Sequence, residues 1–207
     1  MPDEIVSPFR TRDERAYERE QKREAVLRVA VKQFNAKGFH AASLDEVATI
    51  LKISKPTIYY YLGNKEKVLI ECLIRGMELL RAAATDVEAQ SGSGFDRLRA
   101  FLVRFAENSM EDFGRCVIRT NEDALSKDGA RQFRALKAET NDFMQSLIED
   151  GIADGSIAPT DAKLAAFALA GALNGPANWY DPNGPRPPAE IARDMVDFLT
   201  EGFRPRT

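Results

Sequence analysis

The sequence predicts an all-α protein of about nine helices, with a small head at residues 12–63 and a larger body at 64–207. Apolar residues recur at three- and four-residue spacing along nearly the whole chain, the period of a helix with one buried face. Residues that cap helices stand just ahead of those runs: Thr11, Ser43, Ser54, Asn64, Asp128 and Thr160. No alternating apolar–polar run suggests a strand, and no repeat of solenoid length is present.

Residues 1–10 contain Pro2 and Pro8 and no periodicity, so they are expected to be unstructured. Thr11-x-x-Glu14 is a capping box that opens a helix from Arg12 to about Lys37. Its first half is polar and highly charged; its second half carries Val26, Leu27, Ala30, Val31 and Phe34, and Gly38 ends it. The charged half is either a solvated extension or an arm along a DNA backbone through Arg15, Arg19, Lys22 and Arg23. Ser43 and Glu46 form a second capping box, followed by Leu44, Val47, Ala48 and Leu51 on one face. Lys52-Ile53-Ser54 breaks the period; Ser54 caps a very short helix with Pro56 in its first turn and Ile58 and Leu62 inward.

Asn64 caps a long helix over 65–90, striped by Val68, Leu69, Cys72, Leu73, Met77, Leu80, Ala84 and Val87. Ser91-Gly92-Ser93-Gly94 breaks the chain, and Phe95, Leu98, Phe101, Leu102 and Phe105 make the next helix, ending near Phe113-Gly114. A short piece over 116–125 follows. Asp128 caps a helix with Phe133, Leu136, Thr140, Phe143, Met144, Leu147 and Ile148 inward, closed by Asp154-Gly155. Thr160 caps AKLAAFALAGAL, which is apolar or small nearly all round and so needs cover on every side. Pro176 lacks an N–H and its ring meets the carbonyl of Ala172 in a continuous helix, which predicts a break at 174–176. A last amphipathic helix carries Ile191, Met195, Phe198, Leu199 and Phe203.

Composition narrows the function. The chain has 207 residues, 44% hydrophobic and 29% charged, an ordinary globular balance. No apolar run is long enough to span a membrane, and the N-terminus has no apolar segment of a secretory signal, so a cytoplasmic protein without membrane contact is expected. Two cysteines and the single histidine, His40, have no metal-ligand spacing; reduced, buried thiols are expected, with no metal and no cofactor. Ser, Asp and Glu form no nucleophile motif and the glycines no phosphate cradle, so no catalytic residues and no enzyme are expected. Residues 1–70 hold 13 Lys and Arg against 10 Asp and Glu, whereas 71–207 hold 16 against 22. A mildly basic head on an acidic body suits contact with phosphate at one end only.

The stretch from Ser43 to Leu69 carries the functional signal. A helix of about two turns cannot hold itself in water, so residues 55–62 must be braced by the helix before them. That leaves Lys55, Thr57, Tyr59, Tyr60 and Tyr61 crowding the outer side, all able to donate to phosphates or reach base edges. Thr57, Tyr59, Tyr61 and Lys65 are expected on phosphates of double-stranded DNA, Lys55 and Tyr60 near base edges. Ser43, Leu44 and Pro56 are expected in the DNA-facing set as well. The other reading is a helical hairpin with surface tyrosines, a helical adaptor that binds no DNA.

With the preceding LRVAVKQFNAKGFHAAS, this stretch resembles the DNA-binding signature of the TetR family of bacterial transcription regulators. The match covers about fifty residues, through Phe34, Gly38-Phe39, Ser43-Leu44, Val47-Ala48, Ile53-Ser54-Lys55, Thr57-Ile58-Tyr59, Lys65-Glu66 and Leu69. Lys52 departs from it, standing where the family usually has Gly, and Ala42 stands where a hydroxyl often contacts phosphate. The resemblance implies a dimeric regulator, usually a repressor, that binds a palindromic operator and is released by a small-molecule effector. LAGALNGPANWYDPNGPRPPAEIA is similar to the C-terminal region of members that answer to acyl-CoA thioesters, with Gly175-Pro176 a departure within it. A multidrug- or aromatic-responsive regulator of the same family is the alternative. The homodimer is expected through the helices at 160–180 and 189–203. Candidate effector walls are Leu73, Met77, Phe101, Phe105, Phe143, Met144, Leu147 and Trp179, with Arg119, Asn121 and Asn174 as polar anchors and Gly171, Ala172 and Gly175 leaving volume unfilled.

Overall fold

The computed structural model describes residues 11–201. The expectations for residues 1–10 and for Phe203 lie outside the described residues. Among the described residues the chain is helical throughout, with ten α-helical segments: α1 Arg12–Ala41, α2 Leu44–Leu51, α3 Lys55–Leu62, α4 Lys65–Glu88, α5 Gly94–Met110, α6 Asp112–Arg119, α7 Lys127–Ala153, α8 Ala162–Leu173, α9 Pro176–Trp179 and α10 Pro188–Thr200. A single 3₁₀ turn, Glu122–Ala124, joins α6 to α7. No helix among them is long and apolar enough to cross a membrane.

Local chemistry sets most of these boundaries. The Thr11 hydroxyl accepts from the Glu14 amide at 3.2 Å while the Glu14 carboxylate accepts from the Thr11 amide at 2.7 Å, the expected box. Gly38, at φ 75°, interrupts α1 before a final turn. Ser43 does cap α2, through the Asp45 amide at 3.1 Å, but the second box does not close. Its Glu46 is held instead by the Lys37 ammonium at 2.7 and 2.8 Å. Asn64 caps α4 through the Lys67 amide at 2.9 Å.

Two expected caps move by one or two residues. Ser126, not Asp128, caps α7, because the Glu66 carboxylate takes the Ser126 amide at 2.6 Å and leaves its hydroxyl facing the Gly129 amide. Asp161, not Thr160, caps α8 through the Leu164 amide at 3.0 Å. The expected short piece at 116–125 begins earlier, at Asp112. Gly114 is not a helix end; it lies inside α6, where a Cβ would stand 1.9 Å from the Asn108 carbonyl oxygen at the close of α5.

The α2–α3 turn explains the Lys52 departure. The Ile53 amide donates to the Ala48 carbonyl at 3.0 Å and the Lys52 amide to Thr49 at 3.2 Å, a Schellman end that requires a left-handed residue. Lys52 supplies it at φ 54°, ψ 41°, the one non-glycine with positive φ among the described residues. The left-handed backbone costs an L-residue about 1–2 kcal/mol. Lys52→Gly is therefore expected to stabilise the fold by about 1 kcal/mol and to raise the melting midpoint by about 2–4 °C. A lower midpoint in a thermal melt would show that the lysine side chain contributes more than the strain costs.

Two apolar clusters organise the molecule. One joins α1, α2 and α3 to Val68, Leu69, Cys72 and Leu73 of α4, Cys116 of α6 and Phe133 of α7. The other is the body core, from Met77 of α4 through α5, the later half of α7, α8 and α10. Helices α4 and α7 thus each contribute to both clusters and link the head mechanically to the body. Both thiols are free and buried; burial pushes the Cys116 thiol up to about 12 and that of Cys72 well above its usual value.

The break at 174–176 is present. Helix α8 stops at Leu173, and the bonds tighten to i+3: the Gly175 amide to the Ala172 carbonyl at 3.1 Å, and the Ala177 amide to Asn174 at 3.2 Å. One side of α8 is buried through Ala165, Ala166, Leu169 and Leu173. Its other side leaves Leu164 66% and Phe167 55% exposed, with Ala168 and Gly171 beside them. On α10, held to α5 by the Arg99–Asp197 ion pair, Phe198 is 79% exposed.

Candidate nucleic-acid interface and effector cavity

The eight residues of α3 are braced by Ile58, 0% exposed, and Leu62, 5% exposed, within the head cluster. Outward lie Lys55, Pro56, Tyr59 and Tyr60, the last two 44% and 70% exposed. Phenols at that exposure contribute little to packing, so their chemistry is directed at solvent or a partner.

The remaining candidates are less free. The Lys55 ammonium sits 2.8 Å from an Asp45 carboxylate oxygen on α2, and that hydrogen bond raises its pKa. Both partners are exposed, so the pair is weak and exchangeable. Thr57 shares a 2.7 Å hydrogen bond with Ser54. Tyr61 is half-buried, its ring 5.2 Å from that of Tyr60 in an edge contact. Lys65 donates to the His40 carbonyl at 3.1 Å and lies 4.6 Å from the Phe39 ring centre; burial lowers its pKa. The Leu44 side chain is 5% exposed and belongs to the core, so only its backbone amide at the start of α2 is left to face DNA. Arg19 of the α1 extension stands 5.6 Å from the Tyr60 ring centre, so this arm reaches the recognition helix. Lys22 and Arg23 of the same arm pair with Glu18 and Glu71.

In the body, a cavity of about 700 Å³ lies between α4, α5, α6, α7 and α8. Of the expected walls, Met77, Phe105, Met144 and Asn174 border it. The other expected walls lie elsewhere. Leu73 lies one turn nearer the head, in the head cluster, and Phe101 and Leu147 are packed in the body core. Phe143 is spent on an edge contact with Phe101 at 4.9 Å. Trp179 is 57% exposed, beyond the break in the helix. Arg119 and Asn121 border a separate cleft of about 260 Å³ at the head–body joint, beside His40 and Asn35. Gly171, Ala172 and Gly175 do not line the cavity; Ala170 does.

The sequence reading missed the cavity's polar side. Arg134, Lys137 and Asn141 of α7, Asn108 and Ser109 of α5, and Lys163 of α8 all line it. Their signal was the spacing Arg134–Lys137–Asn141, one polar row beside the buried stripe that holds Met144. A larger cleft of about 930 Å³ separates α1 from α4 and α5. It is walled by charge: Arg75 reaches Glu20 at 2.9 Å, Glu24 at 3.5 Å and Glu78 at 3.2 Å. Those groups largely pair with one another, with Glu24 Oε2 left without a hydrogen bond, and the smaller, more apolar body cavity is the better small-molecule site.

The profile described as "Bacterial regulatory proteins, tetR family" matches residues 26–72, and that described as "Tetracyclin repressor-like, C-terminal domain" matches residues 91–203. The chain belongs to the TetR family. Among TetR-family relatives, the HTH-type transcriptional repressor NicS of Pseudomonas putida is 25% identical over 190 residues, covering 88% of this chain and 86% of that protein. The TetR-family regulator PfmR of Thermus thermophilus superposes with a TM-score of 0.77 at 26% identity, over 87% of this chain and 99% of that one. AibR, solved in complex with isovaleryl coenzyme A and operator DNA, superposes at 0.75 with 23% identity, over 86% and 97%. This chain is therefore a transcription regulator with a helix-turn-helix head.

Proposed function

We propose that the protein is a homodimeric repressor in the cytoplasm that holds a palindromic operator with α3 and leaves it when an apolar molecule with an anionic head enters the body cavity. The observation that carries the DNA reading is the exposed Tyr59–Tyr60 pair on a two-turn helix braced from behind. Tyr59, Tyr61, Thr57 and Lys65 are assigned to phosphates, Lys55 and Tyr60 to base edges. Lys55 exchanges Asp45 for a base acceptor on binding. The exposed apolar faces of α8 and α10 support an isologous two-fold contact, which sets two heads on half-sites about 34–36 Å apart or a multiple of that.

The effector reading rests on the cavity's chemistry. Its depth is apolar, with Met77, Leu80, Phe105 and Met144, and its rim carries Arg134, Lys137 and Lys163 against one acidic group, Asp142. That balance favours a fatty-acyl chain with a carboxylate or phosphate, such as an acyl-CoA thioester, over a cationic drug. The complex of AibR with isovaleryl coenzyme A gives the same direction. A ligand against Met77 tilts α4 and with it the head, fixed through Leu69 and the Lys65–His40 contact. A 100-fold preference for the tilted state shifts the equilibrium by about 2.7 kcal/mol.

The test is a gel-shift with the gene's own upstream region, with acyl-CoA thioesters, fatty acids and planar cationic drugs as competitors. Tyr59→Phe is expected to weaken operator and random DNA alike by about 1 kcal/mol per half-site. Lys55→Ala is expected also to relax specificity, by about 1–3 kcal/mol. Wild-type affinity in both variants at physiological salt would reject this interface. Release by drugs alone would reject the acyl reading and leave the regulator reading standing.

A further inference from the structure

Two of the cations that line the cavity, Arg134 and Lys137, are already paired with a carboxylate of the protein itself, held in the neighbouring surface groove that Arg134 shares. Glu122, on the 3₁₀ turn, accepts from Arg134 at 2.6 Å and from Lys137 at 3.1 Å. These two bonds hold its carboxyl below the usual range, so it is ionised at neutral pH. Across the cavity, Lys163 makes no ion pair or hydrogen bond among the described residues.

The turn that carries Glu122 has a second set of contacts. Asp123 and Ala124 border the cleft at the head–body joint, and Ala124 and Leu125 pack on the head cluster. The next residue, Ser126, gives its amide to Glu66 on the first turn of α4 at 2.6 Å. Glu122 therefore fastens to α7 the short segment that also supports the base of α4. Its partners are 57% and 44% exposed and Glu122 itself 37%. Ion pairs that exposed are weak, so an incoming anion can replace the carboxylate at little cost, and the ligand's apolar tail supplies the binding free energy.

We propose that Arg134, Lys137 and Lys163 form an anion-binding mouth to the cavity in which Glu122 is the resident counter-ion, and that an effector's carboxylate or phosphate displaces Glu122 and frees the turn that supports the head. This rests on the effector reading above and adds the group through which it acts. By reciprocity, whatever removes Glu122 while leaving the three cations in place must strengthen the anion and weaken the operator together.

The experiment uses the full chain, wild type, Glu122→Gln and Arg134→Gln, with decanoate, decanoyl-CoA and uncharged decanol as probes. Calorimetry without DNA reads binding; gel-shift reads the operator. Glu122→Gln is expected to bind decanoate or decanoyl-CoA about fivefold tighter and, with no ligand, the operator about fivefold weaker, at the low end of the usual range of coupling. Decanol should not distinguish the two proteins. Arg134→Gln removes the shorter of the two bonds that hold Glu122, so it should weaken the operator in the same direction but lose anion affinity instead of gaining it. Structural damage alone does not produce that opposite pair. A gain confined to decanoate assigns the mouth to a carboxylate, and one confined to decanoyl-CoA assigns it to phosphates. Equal anion affinity in wild type and Glu122→Gln, or release of DNA by decanol as readily as by decanoate, overturns the proposal. No binding of any probe to either protein overturns it together with the acyl reading. Failure of the DNA reading is seen separately, because the calorimetric arm contains no DNA.

Discussion

Ala168→Glu is expected to give a folded monomer that no longer holds its operator. Ala168 lies on the uncovered side of α8 with Leu164, 66% exposed, and with Gly171, where an added Cβ would touch nothing within 4 Å. In the monomer the new carboxylate points into water and costs little. In a two-fold contact each substitution counts twice and sets two unpaired carboxylates in an apolar interface, a cost of several kcal/mol. A single head then has one half-site, and specific affinity falls by about three orders of magnitude or more towards non-specific binding. Phe198→Glu on α10, at a side chain 79% exposed, should act in the same way, whereas Leu199 packs on the body core and its replacement by Glu would unsettle the monomer too. Sedimentation velocity decides: dimers that persist in both variants would place the interface elsewhere.

The second large effect is on stability. Phe133→Ala is expected to destabilise the protein by about 3–5 kcal/mol and to lower its melting midpoint by about 10 °C. Phe133 is 2% exposed and carries α7 into the head cluster, with the Lys137 ammonium 4.3 Å from its ring centre. The neighbouring side chains of the head cluster cannot collapse into its volume without moving α4. Phe198→Ala, read in the Ala168→Glu monomer, is the control: at 79% exposure in the single chain it should cost under about 0.5 kcal/mol. A midpoint for Phe133→Ala within about 2 °C of wild type, the effect of 1 kcal/mol or less, would mean that the two clusters do not depend on this contact.

The recognition helix was legible because all its signals are local. Pro56 and the Ile58–Leu62 pair lie within seven residues, and the Lys52 anomaly was visible as a wrong residue at a turn, whereas the expected Ser54 cap does not form because its hydroxyl bonds that of Thr57. Caps were legible only where one candidate stood alone, as at Thr11 and Asn64. Where two competed, the winner at Ser126 was chosen by Glu66, sixty residues away in sequence. The cavity was legible in part for a geometric reason. Helical period gives the face a side chain takes, not its depth or its height along the bundle. Phe101 and Phe105 share a face, yet only Phe105 borders the cavity. Arg119 has a suitable charge but lies at the joint, one helix end away from the mouth.

The two buried thiols give this protein a blank background for site-directed labelling. Both Cys72 and Cys116 stay protonated and shielded at neutral pH, so a thiol-reactive spin label should pass them by. One cysteine introduced at exposed Ala36 on α1 would then mark each head once. In the proposed dimer the pair of labels forms a ruler between the two heads. Pulsed dipolar spectroscopy would read, in ångströms and without DNA, how far each candidate effector moves them.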